Sequence, residues 1–240
     1  AVFSGEFDGN GKTISNLNLD VAGGQVGLFG QTTGDKTYIH DFTIDGVQAK
    51  FGYKNANHGS GAVIGEAFTG KMENVHVKNA KIESSATYTG GLIGHGYMDI
   101  TDCSFEGTID CTAPQVGGIA GSGGFTITHC TVIGSIHGDT WVGGIVGNCQ
   151  DGGAYSDCYV KGEVSANYAY AGVSAAGIAA IPLYTSQVIE DCYNDADIKC
   201  DGESIPCPII GGYNDKVDSG TDLKLTGNSW NRDLCDIDSF

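Results

Sequence analysis

Residues 116–136 read VGGIAGSGGFTITHCTVIGSI, and versions of this stretch recur along the chain. Its core, Gly118-Ile119-Ala120-Gly121, has counterparts at Gly27-Leu28-Phe29-Gly30, Ala62-Val63-Ile64-Gly65, Gly91-Leu92-Ile93-Gly94 and Gly144-Ile145-Val146-Gly147. Degenerate copies follow at Gly177-Ile178-Ala179-Ala180 and Pro208-Ile209-Ile210-Gly211. The closing positions 30, 65, 94, 121, 147, 180 and 211 lie 35, 29, 27, 26, 33 and 31 residues apart, so insertions belong in loops between copies.

A second element follows most copies with the pattern apolar, any, Asp/Asn/His, apolar, any, apolar. It reads Ile127-Thr128-His129-Cys130-Thr131-Val132, and it starts also at Ile39, Met72, Ile100, Tyr155 and, more weakly, Ile189, with Ile14-Ser15-Asn16-Leu17-Asn18-Leu19 as an N-terminal copy. A third, short element ends at Ile82, Ile109, Ile136, Val164 and Ile198. Within each element apolar residues alternate with period two and are rich in β-branched and aromatic types, which is strand patterning; no sustained 3.6-residue period appears. Three short strands in a unit of 26 to 35 residues leave no room for crossover helices. The fold class expected is all-β, a right-handed parallel β-helix (solenoid) of about seven to eight coils with three short strands per coil, the hand being that of most parallel crossovers. At about 4.8 Å per coil this makes a rod on the order of 35 Å long. The Leu/Asn framework of a leucine-rich repeat is missing, and Asn-Gly and Asp-Gly dipeptides follow no period that would mark the hairpins of a meander or propeller. The Ala-rich stretch 166–180 has helical propensity, but Gly177-Ile178 keeps it in register as a strand.

Composition agrees. Of 240 residues 39 are Gly and only 4 Pro, without a Gly-X-Y period, and 40% hydrophobic residues exclude collagen and a disordered Gly-rich tail. Against 29 Asp+Glu stand 12 Lys+Arg, for a net charge of −17. Affinity for phosphate backbones and anionic lipid comes from Lys and Arg, so no nucleic acid and no anionic membrane is expected as partner. Apolar runs fall far short of the ~20 residues of a membrane span. Ala1 reads as the start of a mature segment or excised domain.

The opening Phe3-Ser4-Gly5-Glu6-Phe7-Asp8-Gly9-Asn10-Gly11-Lys12-Thr13-Ile14-Ser15-Asn16-Leu17, with Val26-Gly27-Leu28-Phe29-Gly30 and the later Val-Gly-Gly-Ile-x-Gly copies, resembles the GLUG-motif repeat family. Such repeats occur in large bacterial surface proteins, including immunoglobulin A-specific metallopeptidases and adhesin-like proteins. The resemblance covers the chain to about residue 211 and implies a secreted or cell-surface solenoid module, continued by other domains of a longer chain. It carries over no catalytic residue, since the metallopeptidase zinc motif is absent. Residues 1–211 are taken as the solenoid and 212–240 as its C-terminal cap, with Leu223, Leu225, Trp230 and Leu234 as covering residues and Cys235 as an anchor. Val2, Phe3 and Phe7 are expected to cover the first coil.

Candidate chemistry is sparse. Cys103, Cys130, Cys158 and Cys192 share one position of the second element, where other copies have Leu17, Phe42 and Val75, so they are expected as an inward-facing column of buried thiols. Cys200 and Cys207 are the disulfide candidate, flanking an exposed turn; no Cys pair has zinc-site spacing. Asn16, Asp41, Asn74, Asp102, His129, Asp157 and Asp191 precede that column and read as corner residues accepting backbone N–H bonds, with a shared calcium position or an acid-base pair as the functional alternative. Asp8-Gly9-Asn10-Gly11 opens like a calcium loop but has Leu19 at its twelfth position, so it is a tight turn. No metal residue is nominated; calcium at other acidic loops is the one cofactor left open. The six His are scattered, with no nucleophile elbow and no His-Glu-x-x-His. Tyr88 and Trp141 each lie six residues before a closing Gly and so share one side of the rod with Gln115 between them; Tyr97, Tyr168, Tyr170 and Tyr184 sit in neighbouring loops. Tyr88, Trp141, Tyr97 and Tyr170 are the ligand-binding candidates, as stacking platforms for sugar or as anchors for a protein partner. The function expected is a non-catalytic extracellular binding, adhesion or spacer module that takes a glycan or a host or bacterial surface protein; the alternative is a carbohydrate-active β-helix enzyme, whose carboxylate separation a sequence does not give.

Overall fold

The computed structural model describes residues 2–52, 58–149, 152–167, 175–181, 186–200, 207–211 and 223–234. Among them there is no helix, and every strand pairing is parallel. One coil consists of Tyr88–Gly90, Ile93–Thr101 and Ser104–Cys111; the next repeats it as Val116–Gly117, Ala120–Thr128 and Thr131–Gly138. In the coil after that, the longer strand divides into Val146–Asn148 and Gly153–Ser156 where the connection lengthens. Three short strands per coil, stacked in parallel, form the β-solenoid that the repeat implies.

Stacking converts the repeat into columns. Ile39, Met72, Ile100, Ile127, Tyr155 and Ile189 face each other down one wall. Ile44, Val77, Phe105, Val132 and Val160 do so down the next, and Ala49, Ile82, Ile109, Ile136, Val164 and Ile198 down the third. All of these are buried, so each strand turns one side chain in two inward and the core is a stack of like on like. The stretch read as a strand against its helical propensity supplies Ala175–Ala176 and Ala179–Ile181, in register with Val142–Gly143 and Val146.

The Gly-x-x-Gly copies form the fourth side, where a five-stranded sheet runs through Gly59–Gly61, Tyr88–Gly90, Val116–Gly117, Val142–Gly143 and Ala175–Ala176. Here backbones of successive coils touch. A Cβ on Gly94 would stand 1.9 Å from Ser60 N, and one on Gly118 would stand 2.3 Å from Gly144 O. Glycine is required there by contact with backbone that has nowhere to move.

Two expectations change. The solenoid has about six turns, not seven to eight. Counting motif copies included end layers with short pairings: Val2–Phe3 is two residues long, and among the described residues the last Gly-x-x-Gly copy meets the layer before it through the bridges Ala176↔Cys207 and Ala179↔Ile210. The N-terminal copy is also out of place by one corner. Pairing runs Asp8↔His40 and resumes at Lys12↔Phe42, so Gly9–Gly11 arch out of the ladder. Asn10, not Asn16, then occupies the corner of Asp41, while Asn16 lies at the corner of Gly46. Leu17 accordingly stacks beside Val47, outside the column of Phe42.

Val2 is exposed, whereas Phe3 and Phe7 pack on Phe29 with ring centroids 4.8 and 5.3 Å away. In the segment 212–240, Leu223–Thr226 and Ser229–Trp230 add parallel strands to Gln187–Glu190 and to Tyr193 and Asn194. Trp230 packs against the core, Leu223, Leu225 and Leu234 are exposed, and Cys235 lies outside the described residues. Replacing Gly94 by Ala is expected to lower stability by about 3 kcal/mol, whereas Ile133→Ser, at an exposed strand position, changes it by no more than about 0.5 kcal/mol, both read from guanidinium unfolding midpoints.

Candidate functional site

The residues that flank each Gly-x-x-Gly turn stand side by side at the edge of the fourth side. One flank runs through Gly59, Tyr88, Gln115 and Trp141: Tyr88 pairs with Gly59, Thr89 N–H donates to Gln115 O, and Val116 N–H donates to Trp141 O. The other flank is the register column Gln31, Glu66, His95, Ser122, Asn148. Gln115 and Trp141 have φ of 65° and 54°, the left-handed turn that lets the chain double back into the next short strand.

The two flanks interlock. The rings of Tyr88 and His95 stack at 4.8 Å, and Tyr97 meets His95 edge-on at 6.2 Å. His95 Nδ1 lies 3.5 Å from Glu66 Oε1, while Glu66 Oε2 accepts a 2.6 Å bond from Gln25 Nε2. Asn148 Nδ2 donates to Gln115 Oε1 at 2.7 Å. Glu66, Gln115, Ser122 and Asn148 are all buried, whereas Tyr97 is exposed. The face therefore offers aromatic rings on a bed of polar groups whose rotamers are already fixed, a layout suited to a flat polar ligand.

Tyr88, Trp141 and Tyr97 are thus brought to one side of the rod, with Gln115 between the first two. Tyr168, Tyr170 and Tyr184 lie outside the described residues. Glu66, His95 and Asn148 do not stand out in the sequence. Their signal was a spacing: the residue seven after the first flank, as in Tyr88 and His95 or Trp141 and Asn148, returns to the same edge.

The column of Asp41, Asn74, Asp102, His129, Asp157 and Asp191 turns the corner that follows strand Ile93–Thr101 and its equivalents, and all six have φ between 52° and 57°. Asp and Asn tolerate this conformation better than most residues. Asn74 Nδ2 donates to Asp41 Oδ1 at 2.6 Å, and His129 sits 3.6 Å from both Asp102 and Asp157, which separates the carboxylates. Inside this corner Cys103, Cys130, Cys158 and Cys192 are buried beneath Phe42 and Val75. Each thiol bonds the carbonyl two residues earlier, at 3.2 to 3.4 Å. The adjacent Cys103 thiol together with burial pushes Cys130 up, and Cys192 together with burial does the same to Cys158, so neither supplies thiolate at neutral pH. Cys200 ends its strand half-buried, and Cys207 is half-buried beside Ala176; the turn 201–206 between them is outside the described residues.

His76 bonds Ser104 Oγ through Nδ1 at 2.8 Å and Asn74 Oδ1 through Nε2 at 2.9 Å. Burial, reinforced by Lys78, lowers its pKa below the usual value of 6.5.

Residues 85–110 match the family model of the GLUG motif, and they correspond to the coil that carries Tyr88, His95 and Tyr97. The comparison with curated proteins gives no match. Among solved structures, a candidate immunoglobulin A1 protease from Bacteroides ovatus superposes with a TM-score of 0.58 at 17% identity, covering 92% of this chain and 68% of that one. At this identity the likeness is one of fold.

Two outcomes follow from these geometries. Iodoacetamide is expected to leave Cys103, Cys130 and Cys158 unmodified in the native protein and to label all three after denaturation, as read by peptide mass. Because the folded pKa of His76 is depressed, its contribution to stability is complete above about pH 6.5 and is lost as pH falls through the folded value. The melting-temperature difference between wild type and His76→Gln should shrink from about pH 7 to pH 5 in a calorimetric series.

Proposed function

We propose that this GLUG-bearing solenoid is a non-catalytic binding or adhesion module of a larger bacterial surface or secreted protein, and that the edge holding Tyr88, His95, Tyr97, Gln115 and Trp141 is its ligand-facing surface. The observation that supports the reading most is the union of two roles in one motif. The turn that closes each coil also sets Tyr88 against the ring of half-buried His95 in one layer and Gln115 against buried Asn148, which donates to it, in the next. A glycan is the ligand class this suits, since sugar rings stack on Tyr and Trp and their hydroxyls bond to Gln, Asn and Glu. With a net charge of −17 the ligand is neutral or basic in preference to polyanionic. No helix among the described residues is long and apolar enough to cross a membrane. The Bacteroides ovatus likeness and the GLUG coil support an extracellular setting, with the rest of the chain holding the module away from the cell.

A carbohydrate-active enzyme is the second reading, and it draws on the Glu66–His95 pair with Ser122 next in the same column. The experiment is a glycan array probed with and without calcium, followed by the Trp141→Ala variant. Binding that falls at least tenfold in Trp141→Ala, with no sugar released from a polysaccharide panel, is the expected result. Unchanged binding in the variant removes the surface assigned here, and sugar release by wild type that is lost in Glu66→Gln replaces binding by catalysis.

A further inference from the structure

Where the first coil meets the second, Gly9–Gly11 leave the ladder and side chains of three layers gather around His40. His40 is only 7% exposed although it sits on the outer side of its strand, because Tyr38 stacks on it at 3.9 Å and carboxylates surround it. Its Nδ1 lies 2.8 Å from Asp41 Oδ2 and 3.9 Å from Asp8 Oδ1, and its Nε2 lies 3.2 Å from Glu6 Oε1. One ligand atom each from Asp8, His40 and Asp41 falls within 4.8 Å of the others.

We propose that Asp8, His40 and Asp41 bind one divalent transition cation of the zinc class, with Glu6 as the residue that positions His40. The donor set fits that cation on three counts. Zinc takes imidazole and carboxylate at about 2.0–2.2 Å, with three protein ligands and water in an open fourth position. Ligand atoms in such a site stand about 3.3 Å apart, so the 2.8 and 3.9 Å contacts need only small rotations. A zinc-bound histidine donates its second ring N–H to a carboxylate, which is what Glu6 offers at Nε2; this leaves the Nδ1 lone pair on the side of both aspartates. Asp41 is held as a ligand from outside the site, since Asn74 Nδ2 occupies its Oδ1 and leaves Oδ2 for metal; the Asp8 Oδ1 that faces His40 also accepts the Asn10 N–H at 2.6 Å, which fixes its position and leaves its second lone pair for metal.

Tyr38 donates to Glu73 Oε2 at 2.7 Å and so fixes the imidazole plane from the third layer. On coordination the cation replaces the proton shared by Nδ1 and Asp41, and that proton leaves to solvent. Calcium is excluded as the preferred ion, because it takes oxygen ligands and the central donor here is nitrogen. Asp8-Gly9-Asn10-Gly11 thus acts as a metal-ligand turn whose partners come from the next coil, not from later in its own loop.

The test is zinc chloride titrated into the intact wild-type chain by calorimetry, with thermal melts alongside, and cobalt chloride as a spectroscopic probe. One equivalent should bind and raise the melting temperature. Asp8→Asn and Asp41→Asn should each weaken binding at least tenfold in protein whose metal-free melt shows it still folded; Asn at 41 keeps the left-handed corner, and both variants spare the buried imidazole. Glu6→Gln should weaken it about tenfold. Cobalt should give weak visible bands without the intense near-ultraviolet band of thiolate ligation, which separates this site from the cysteines. No saturable zinc binding by wild type, equal affinity in both aspartate variants, an equal effect of calcium, or a thiolate band overturns the site; undiminished affinity in Glu6→Gln overturns the role given to Glu6.

Discussion

Parallel stacking at one fixed spacing is the interaction on which the rest of this molecule depends. Each coil pairs edge to edge with its neighbours at about 4.8 Å, so every position is filled not by one residue but by a column. A residue type survives in a column only if it tolerates its own kind directly above and below. Isoleucine and valine do, and they line the three inner walls. Asp and Asn do at a left-handed corner, where amide or imidazole members break the run of carboxylates. Where the turn brings backbone against backbone, only glycine does.

The same constraint builds the outer surface. Because the flanks of each Gly-x-x-Gly turn are themselves columns, a side chain that varies from coil to coil is presented on a rigid, evenly spaced track. Tyr88, Gln115 and Trp141 differ in chemistry, yet their backbones are held by one hydrogen-bond pattern. A solenoid can in this way change its ligand by substitution along the track without disturbing its core. The buried partners Glu66, Ser122 and Asn148 fix the geometry from beneath.

Much of this could be read in the sequence, and the reasons for the failures are physical. Strands, inner columns and the thiol column follow from period-two patterning and from the distance between copies. So did the shared side of Tyr88 and Trp141, because both are counted from a turn of constant length. What could not be counted was register across irregular layers. The arch at Gly9–Gly11 shifts the first coil, so Asn16 was aligned with the wrong corner, and the meeting of Asp8 with His40 was invisible for the same reason. The number of turns was overestimated since a motif copy signals a strand, not a closed layer. Pairings such as His95 with Glu66 join layers 29 residues apart, and no local pattern reports which side chains reach across.

The most direct test of stacked columns is a nuclear Overhauser measurement between backbone protons of the isotopically labelled protein. Strand Ser104–Cys111 should show amide-to-α contacts with Lys71–Ser84 on one side and Thr131–Gly138 on the other, so that Thr108 meets Lys81 and Ser135. Contacts instead between Ser104–Cys111 and its sequence neighbour Ile93–Thr101, in the antiparallel pattern of a hairpin, would contradict the stacked columns and with them the proposed ligand-facing surface.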